Sequence, residues 1–285
     1  MPAALRLLLA LMLCSPPAAA VLIDSGDGTG NISAPSPDPG WANVGFRGSL
    51  SAVYLGNSYV ITAAHAGFGD VVFNGTPHRA VPGTDVILRN PDSSATDLRL
   101  FSIHPAPALP ALPVSAVAPE IGDQILLAGN GRDRGAETSF DPNGPPPPGP
   151  VGGHLWLGSQ SLRWGTNEVD SFSTLSLGGA VSESFSALFD AGSTPHEGVA
   201  ATGDSGGAVF HNTGSQWELA GIMVAVSQFV GQPANTSIYG NGVISVDLSV
   251  YRDDIMAVVA LPEPSGGLWW GALAVLVLAS RRGRR

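Results

Sequence analysis

Three short segments hold residue types that can do chemistry together. Thr62-Ala63-Ala64-His65 closes one apolar run, Thr96-Asp97-Leu98-Arg99-Leu100 opens another, and Gly203-Asp204-Ser205-Gly206-Gly207 precedes a third. A serine hydroxyl attacks a carbonyl when a neighbouring imidazole takes its proton, and the imidazole needs a buried carboxylate to hold its tautomer. The oxyanion that develops needs backbone N–H donors aimed at it. Glycines around Ser205 suit that demand, because they adopt unusual φ/ψ values and let a substrate approach the main chain. Asp70, Asp85 and Asp92 are also available to His65, so position alone leaves the carboxylate open. His78, His104, His154, His196 and His211 lack metal-ligand spacing and read as surface or turn residues, and no metal or cofactor is expected.

Positioning such groups requires rigid elements, and strand signals dominate the chain. Ser51–Leu55 and Tyr59–Thr62 flank Gly56-Asn57-Ser58 as a hairpin, and Val71-Val72-Phe73 meets the turn pair Asn74-Gly75. Further runs are Asp85–Leu88, Leu98–Ile103, Gln124–Ala128, Ala208–Phe210, Glu218–Val226 and Gly242–Val246. Short strands at this spacing predict a barrel or sandwich. One helix is expected from about Ser249 to Leu261, stopped by Pro262. The proline-rich stretch His104–Pro113 reads as an extended linker between strand-rich blocks at about 41–104 and 119–247, and Pro142–Pro150 as a surface loop.

The chain has 285 residues, 13 basic against 23 acidic, a net charge of −10 and 44 % hydrophobic residues. That hydrophobic share suffices for a sizeable core, and the acidic balance argues against a nucleic-acid partner. Every basic residue is arginine. The ends read as addresses. Arg6, the apolar run Leu7–Leu13 and Ala18-Ala19-Ala20 form a secretory signal peptide over 1–20, cut before Val21. The only cysteine, Cys14, leaves with it, so the exported protein has no disulfide. Removing both ends leaves eight arginines against 22 acids, a charge of −14. At the other end Pro262-Glu263-Pro264 is followed by an apolar stretch, Leu268–Ala279, and by Arg281-Arg282-Gly283-Arg284-Arg285. This arrangement over 262–285 resembles the PEP-CTERM sorting signal of Gram-negative bacteria; the plainer reading is a simple C-terminal anchor. The resemblance implies a short transmembrane helix, transient inner-membrane contact, exosortase processing, and release or attachment at the cell surface.

The frames T-A-A-H, D-L-x-L and G-D-S-G-G, in that order, resemble the trypsin/chymotrypsin-like serine peptidases. Gly48-Ser49-Leu50, Pro119–Asp123, Leu219-Ala220-Gly221-Ile222 and the C-terminal helix extend the likeness over about 41–261, behind an extension at 21–40. The resemblance implies an all-β fold of two antiparallel six-stranded barrels (about 41–104 and 119–247) with a C-terminal helix at about 249–261. It assigns His65 as general base, Asp97 as its orienting partner, Ser205 as nucleophile, and the N–H groups of Gly203 and Ser205 as the oxyanion hole. It implies a polypeptide substrate.

Departures from the family are specific. The usual Ile-Val-Gly-Gly start, whose freed amine pairs with the aspartate before the serine, is absent; the nearest match is Ala42-Asn43-Val44-Gly45, which leaves the partner of Asp204 open. Ala66 stands where a cysteine is common, and Arg99 where a small residue is usual. The resemblance implies that Val199, six residues before Ser205, and Val224, Ala225 and Val226 belong to the specificity pocket, which favours a small or apolar side chain over Lys or Arg. Three readings follow: an exported endopeptidase, an esterase with the same triad, or an inactive surface binding protein on the same fold.

Overall fold

The structure, a computed structural model, describes residues 21–142 and 149–261. The signal peptide (1–20) and the sorting segment (262–285) expected from sequence, and most of the Pro142–Pro150 stretch, lie outside the described residues. No described helix is long and apolar enough to cross a membrane.

In the first half, strands Tyr59–Ala63, Leu50–Gly56, Val44–Arg47, Val71–Phe73, Thr76–Ala80 and Ala95–His104 pair in that order. Pairing of Tyr59–Ala63 with Ala95–His104 closes them into a six-stranded barrel, with Val86–Arg89 added outside. Both expected hairpins form. Asn57 and Ser58 take φ of 47° and 65°, Asn74 and Gly75 take 49° and 75°, the left-handed pairs that match the twist of two-residue hairpins. Inward residues of these strands, among them Phe73, Phe101 and Ile103, fill the barrel.

The second half is built on a seven-stranded antiparallel sheet. Its order is Arg163–Glu168, Gln124–Gly129, Ala208–Asn212, Trp217–Ser227, Gly242–Asp247, Ala180–Leu188 and Ser171–Leu177. It exceeds the six strands expected by one, the outer member of the hairpin Ser171–Leu177/Ala180–Leu188. A further hairpin, Arg132–Phe140/Val151–Gln160, pairs with Thr236–Ile238. The helix Leu248–Val259 starts at Asp247, whose carboxylate accepts the Ser249 N–H at 2.9 Å. It buries Leu248, Tyr251, Ile255 and Val259, one face at helical spacing. That face joins a core cluster drawing on both halves, from Val53 and Leu100 to Phe210 and Ile222.

Two segments read as connections are stitched into this body. In the proline-rich stretch, Leu112 donates to Leu55 O and Pro113 O accepts from Leu219, so it ties one half to the other. Residues 21–40, read as an extension, run along the second half: Leu22–Ile23 pairs with Gly198–Val199, and Asn31 exchanges hydrogen bonds with Trp164.

Candidate active site

Strand Tyr59–Ala63 ends in a single 3-10 turn, Ala64–Ala66, which turns His65 away from the barrel toward the junction of the two halves. Asp97 lies on the strand paired beside it, with Ala63 opposite Leu98. One Asp97 carboxylate oxygen accepts the His65 backbone N–H at 3.0 Å, and the other meets ring Nδ1 at 2.7 Å. An ionised carboxylate can only accept, so Nδ1 carries the proton and Nε2 is left as a base. The Asp97 side chain is 5 % exposed and that of His65 42 %, a buried anion holding a half-open imidazole. The hydrogen bond that His65 donates to Asp97 raises the His65 pKa above its ordinary 6.5, partly opposed by burial.

The other aspartates have their own work. Asp70 accepts the Ala80 N–H, Asp85 pairs with Arg99, and Asp92 closes a turn with Ser94. Two residues that sequence reasoning left out of the site support this pair. Ser182 Oγ accepts the Asp97 N–H at 3.0 Å, from the far hairpin. Arg99, noted only as a departure, donates from Nε to Ala64 O and so braces the turn that carries His65.

Ser205 sits on the turn before strand Ala208–Asn212. Gly206 takes φ +88°, and a Cβ there would lie 2.1 Å from Thr62 Oγ1 and 2.2 Å from Ser51 O. Gly203 takes φ +111°, with Asn130 O 2.7 Å from the place of a Cβ. Only glycine fits at either position. Among the described residues neither the Gly203 nor the Ser205 N–H has a hydrogen-bond partner, whereas the Asp204, Gly206 and Gly207 N–H groups each do. No hydrogen bond joins Ser205 Oγ to His65 among the described residues; both line one cleft of about 350 Å³. Such contacts often tighten only when substrate is bound.

The same cleft is lined by Leu50, Leu177, Ala200, Ala201, Val224 and Val226. No acidic side chain lines it. Val224 and Val226 line this cleft, with Ala225 between them. Val199 does not. It is fully buried beneath the wall, opposite Leu22 and packed with Phe189 and Ala201. Side chains alternate along an extended segment, so a slip of one residue moves the position from the cleft to the core. Leu177, missed from sequence, reaches the cleft from the tip of the extra hairpin.

Asp204 is fully buried. Its carboxylate accepts the Ala201 N–H at 2.8 Å and the Val21 N–H at 3.4 Å. Burial pushes its pKa up to about 7. Val21, not the Ala42–Gly45 stretch, is thus the segment that reaches Asp204. It is held there by Asp24, which accepts from Tyr239 at 2.5 Å and contacts His154 at 3.1 Å, while Arg134 donates to the carbonyls of Ile23 and Asp24. His154, read as a surface residue, is 3 % exposed in this cluster, and His78 is buried against Pro105 O. Both belong to strands whose inward positions the polar sequence around them conceals. No group of three or more His, Cys, Asp and Glu able to hold a metal occurs among the described residues.

A closed antiparallel barrel, a second β-sheet body and a terminal helix, with His, Asp and Ser brought to their junction, define a chymotrypsin-like fold. No protein-family model matches the sequence, and no curated protein matches it. Solved structures do. Mouse neuropsin, described as a serine protease expressed in the limbic system of the brain, is similar with a TM-score of 0.52 and 16 % identity, over 80 % of this chain and 98 % of that one. The active form of the Rv3671c protease from M. tuberculosis matches 76 % of each chain at 14 % identity and a TM-score of 0.47. At such identity the likeness to neuropsin speaks for the fold alone.

Proposed function

We propose that this chain is an exported serine endopeptidase that cuts peptide bonds through an acyl-enzyme. The observation that carries the reading is the 2.7 Å His65–Asp97 pair at the mouth of the cleft that also holds Ser205. Ser205 Oγ attacks the scissile carbonyl while its proton passes to His65 Nε2, and Asp97 stabilises the imidazolium formed. The oxyanion of the tetrahedral adduct is received by the Gly203 and Ser205 N–H groups. As the C–N bond breaks, His65 gives its proton to the leaving amine, and an ester on Ser205 remains. Water, deprotonated by the same imidazole, then hydrolyses that ester.

The cleft's alanines and valines and its lack of an acidic group support a small or apolar side chain before the scissile bond. Peptides with Ala or Val there should be cut with kcat/KM at least about 10-fold above those with Lys or Arg, since a buried cation without a partner is costly. A panel of fluorogenic peptides reads this directly; a preference for Lys or Arg would overturn it. Catalysis needs neutral His65. Because Asp97 raises its pKa, the rate should climb with pH through a midpoint above 6.5. Asp97→Asn should lower the midpoint and cut kcat by about 10⁴-fold. A midpoint unmoved by Asp97→Asn would separate Asp97 from the reaction.

The activating event in this reading is removal of the signal peptide. Hydrolysis of the Ala20–Val21 bond converts the Val21 N–H beside Asp204 into an ammonium, which supplies the buried carboxylate with a cation. The sorting segment at 262–285 would then direct the exported protein, through exosortase, to the cell surface or medium.

A further inference from the structure

Ser51 lies near the start of strand Leu50–Gly56, in the first barrel, and is fully buried. It meets the Gly203–Gly207 turn of the other half at two carbonyls. Its N–H donates to Ser205 O at 2.9 Å, and its hydroxyl donates to Gly203 O at 2.9 Å. The same hydroxyl oxygen accepts the Asn130 N–H at 2.8 Å, and the Ser51 carbonyl accepts from Thr62 Oγ1 at 2.7 Å. One residue thus grips the turn on both sides of Asp204, and the span it grips carries the two free N–H groups of the cleft.

The hydroxyl bond matters more than an ordinary tie between sheets. Gly203 takes φ +111°, and a glycine offers little resistance to rotation of the peptide unit that follows it. The Gly203 carbonyl is directed inward because Ser51 satisfies it there. Without the hydroxyl, that carbonyl and the Asn130 N–H both lose a buried partner, and rotating the Gly203–Asp204 peptide becomes the way to recover one. Such rotation disturbs the aim of the donors on either side. We propose that Ser51 is a positioning residue for the oxyanion site: its hydroxyl, relayed from the Asn130 N–H, locks the Gly203 carbonyl and so aims the Gly203 and Ser205 N–H groups. This rests on the reading of Ser205 as nucleophile.

The test compares Ser51→Ala with wild type, in the mature protein, on an Ala-containing peptide substrate. The oxyanion site acts in the transition state, so kcat should fall roughly 10- to 100-fold with KM nearly unchanged; outright loss of one donor costs about 10²–10³. Inhibition by a peptide trifluoromethyl ketone, whose adduct carries the oxyanion, should weaken by the same factor. Thr62→Val removes the neighbouring bond to the Ser51 carbonyl without touching the hydroxyl, and should lower the melting temperature without that kcat-only loss. If Ser51→Ala does not fold, the isosteric pair Ser51→Thr and Ser51→Val answers the same question, Thr retaining activity and Val losing it. Equal kcat and equal ketone affinity in the hydroxyl-free variant and its partner would overturn the role of Ser51. Failure of the underlying reading looks different: wild type itself would neither turn over nor react at Ser205 with a fluorophosphonate.

Discussion

A protein that begins at Val21 will hydrolyse peptides, and the same protein carrying one or two residues ahead of Val21 will be slower by about 10²-fold or more, the cost of a misaimed oxyanion site. The reason is Asp204, next to Ser205 in sequence and wholly removed from water. A buried carboxylate stays ionised only with strong partners. In the uncut chain its hydrogen-bond partners are the neutral N–H groups of Ala201, Val21 and Gly131, Arg163 attracts it only through space, and burial still pushes its pKa up to about 7. An ammonium at Val21 places a full charge there and lowers that pKa. The sign of the pH effect follows. In the uncut chain the folded pKa of Asp204 lies above its ordinary 3.8, so its contribution to stability is full below 3.8 and is lost as pH rises through about 7. The Val21-start protein should lack that decline. Melting temperatures of both forms between pH 4 and 8 check it, and parallel curves would count against the pairing.

Ser205→Ala and His65→Ala will each lower kcat by about 10⁴- to 10⁶-fold, and the double variant will be little worse than either single one. Nucleophile and base act as one unit, so removing one makes the other idle. The leftover rate belongs to substrate binding and to the N–H groups of Gly203 and Ser205. Active-site-titrated kinetics on one peptide substrate measure this. Losses that multiply in the double variant would mean that the two side chains act independently.

The local frames around His65, Asp97 and Ser205 were legible because short-range chemistry sets them: a strand end, a strand start and a glycine turn. The Asn57-Ser58 and Asn74-Gly75 hairpins were legible for the same reason. What escaped depends on distant contacts. Val21 meets Asp204 across 183 positions, and no local pattern announces that. Ser51 looked like the first residue of an apolar strand, its hydroxyl having no visible partner until the two halves meet. The strands between Arg132 and Leu188 escaped because many are polar on both faces; Ser171–Leu177 is exposed at nearly every position, and Arg132–Phe140 has irregular register. Val199 was misplaced by a count that assumed one conformation from Val199 to Ser205, whereas the strand Gly198–Val199 ends before the turn begins.

In the proposed mechanism Ser205 is a nucleophile activated by His65. This is tested most directly by reacting the Val21-start protein with a fluorophosphonate and locating the adduct by peptide mass spectrometry. One adduct per chain is expected, on the peptide containing Ser205, absent in Ser205→Ala and strongly slowed in His65→Ala. An unlabelled wild type, or labelling that persists unchanged in Ser205→Ala, would contradict it.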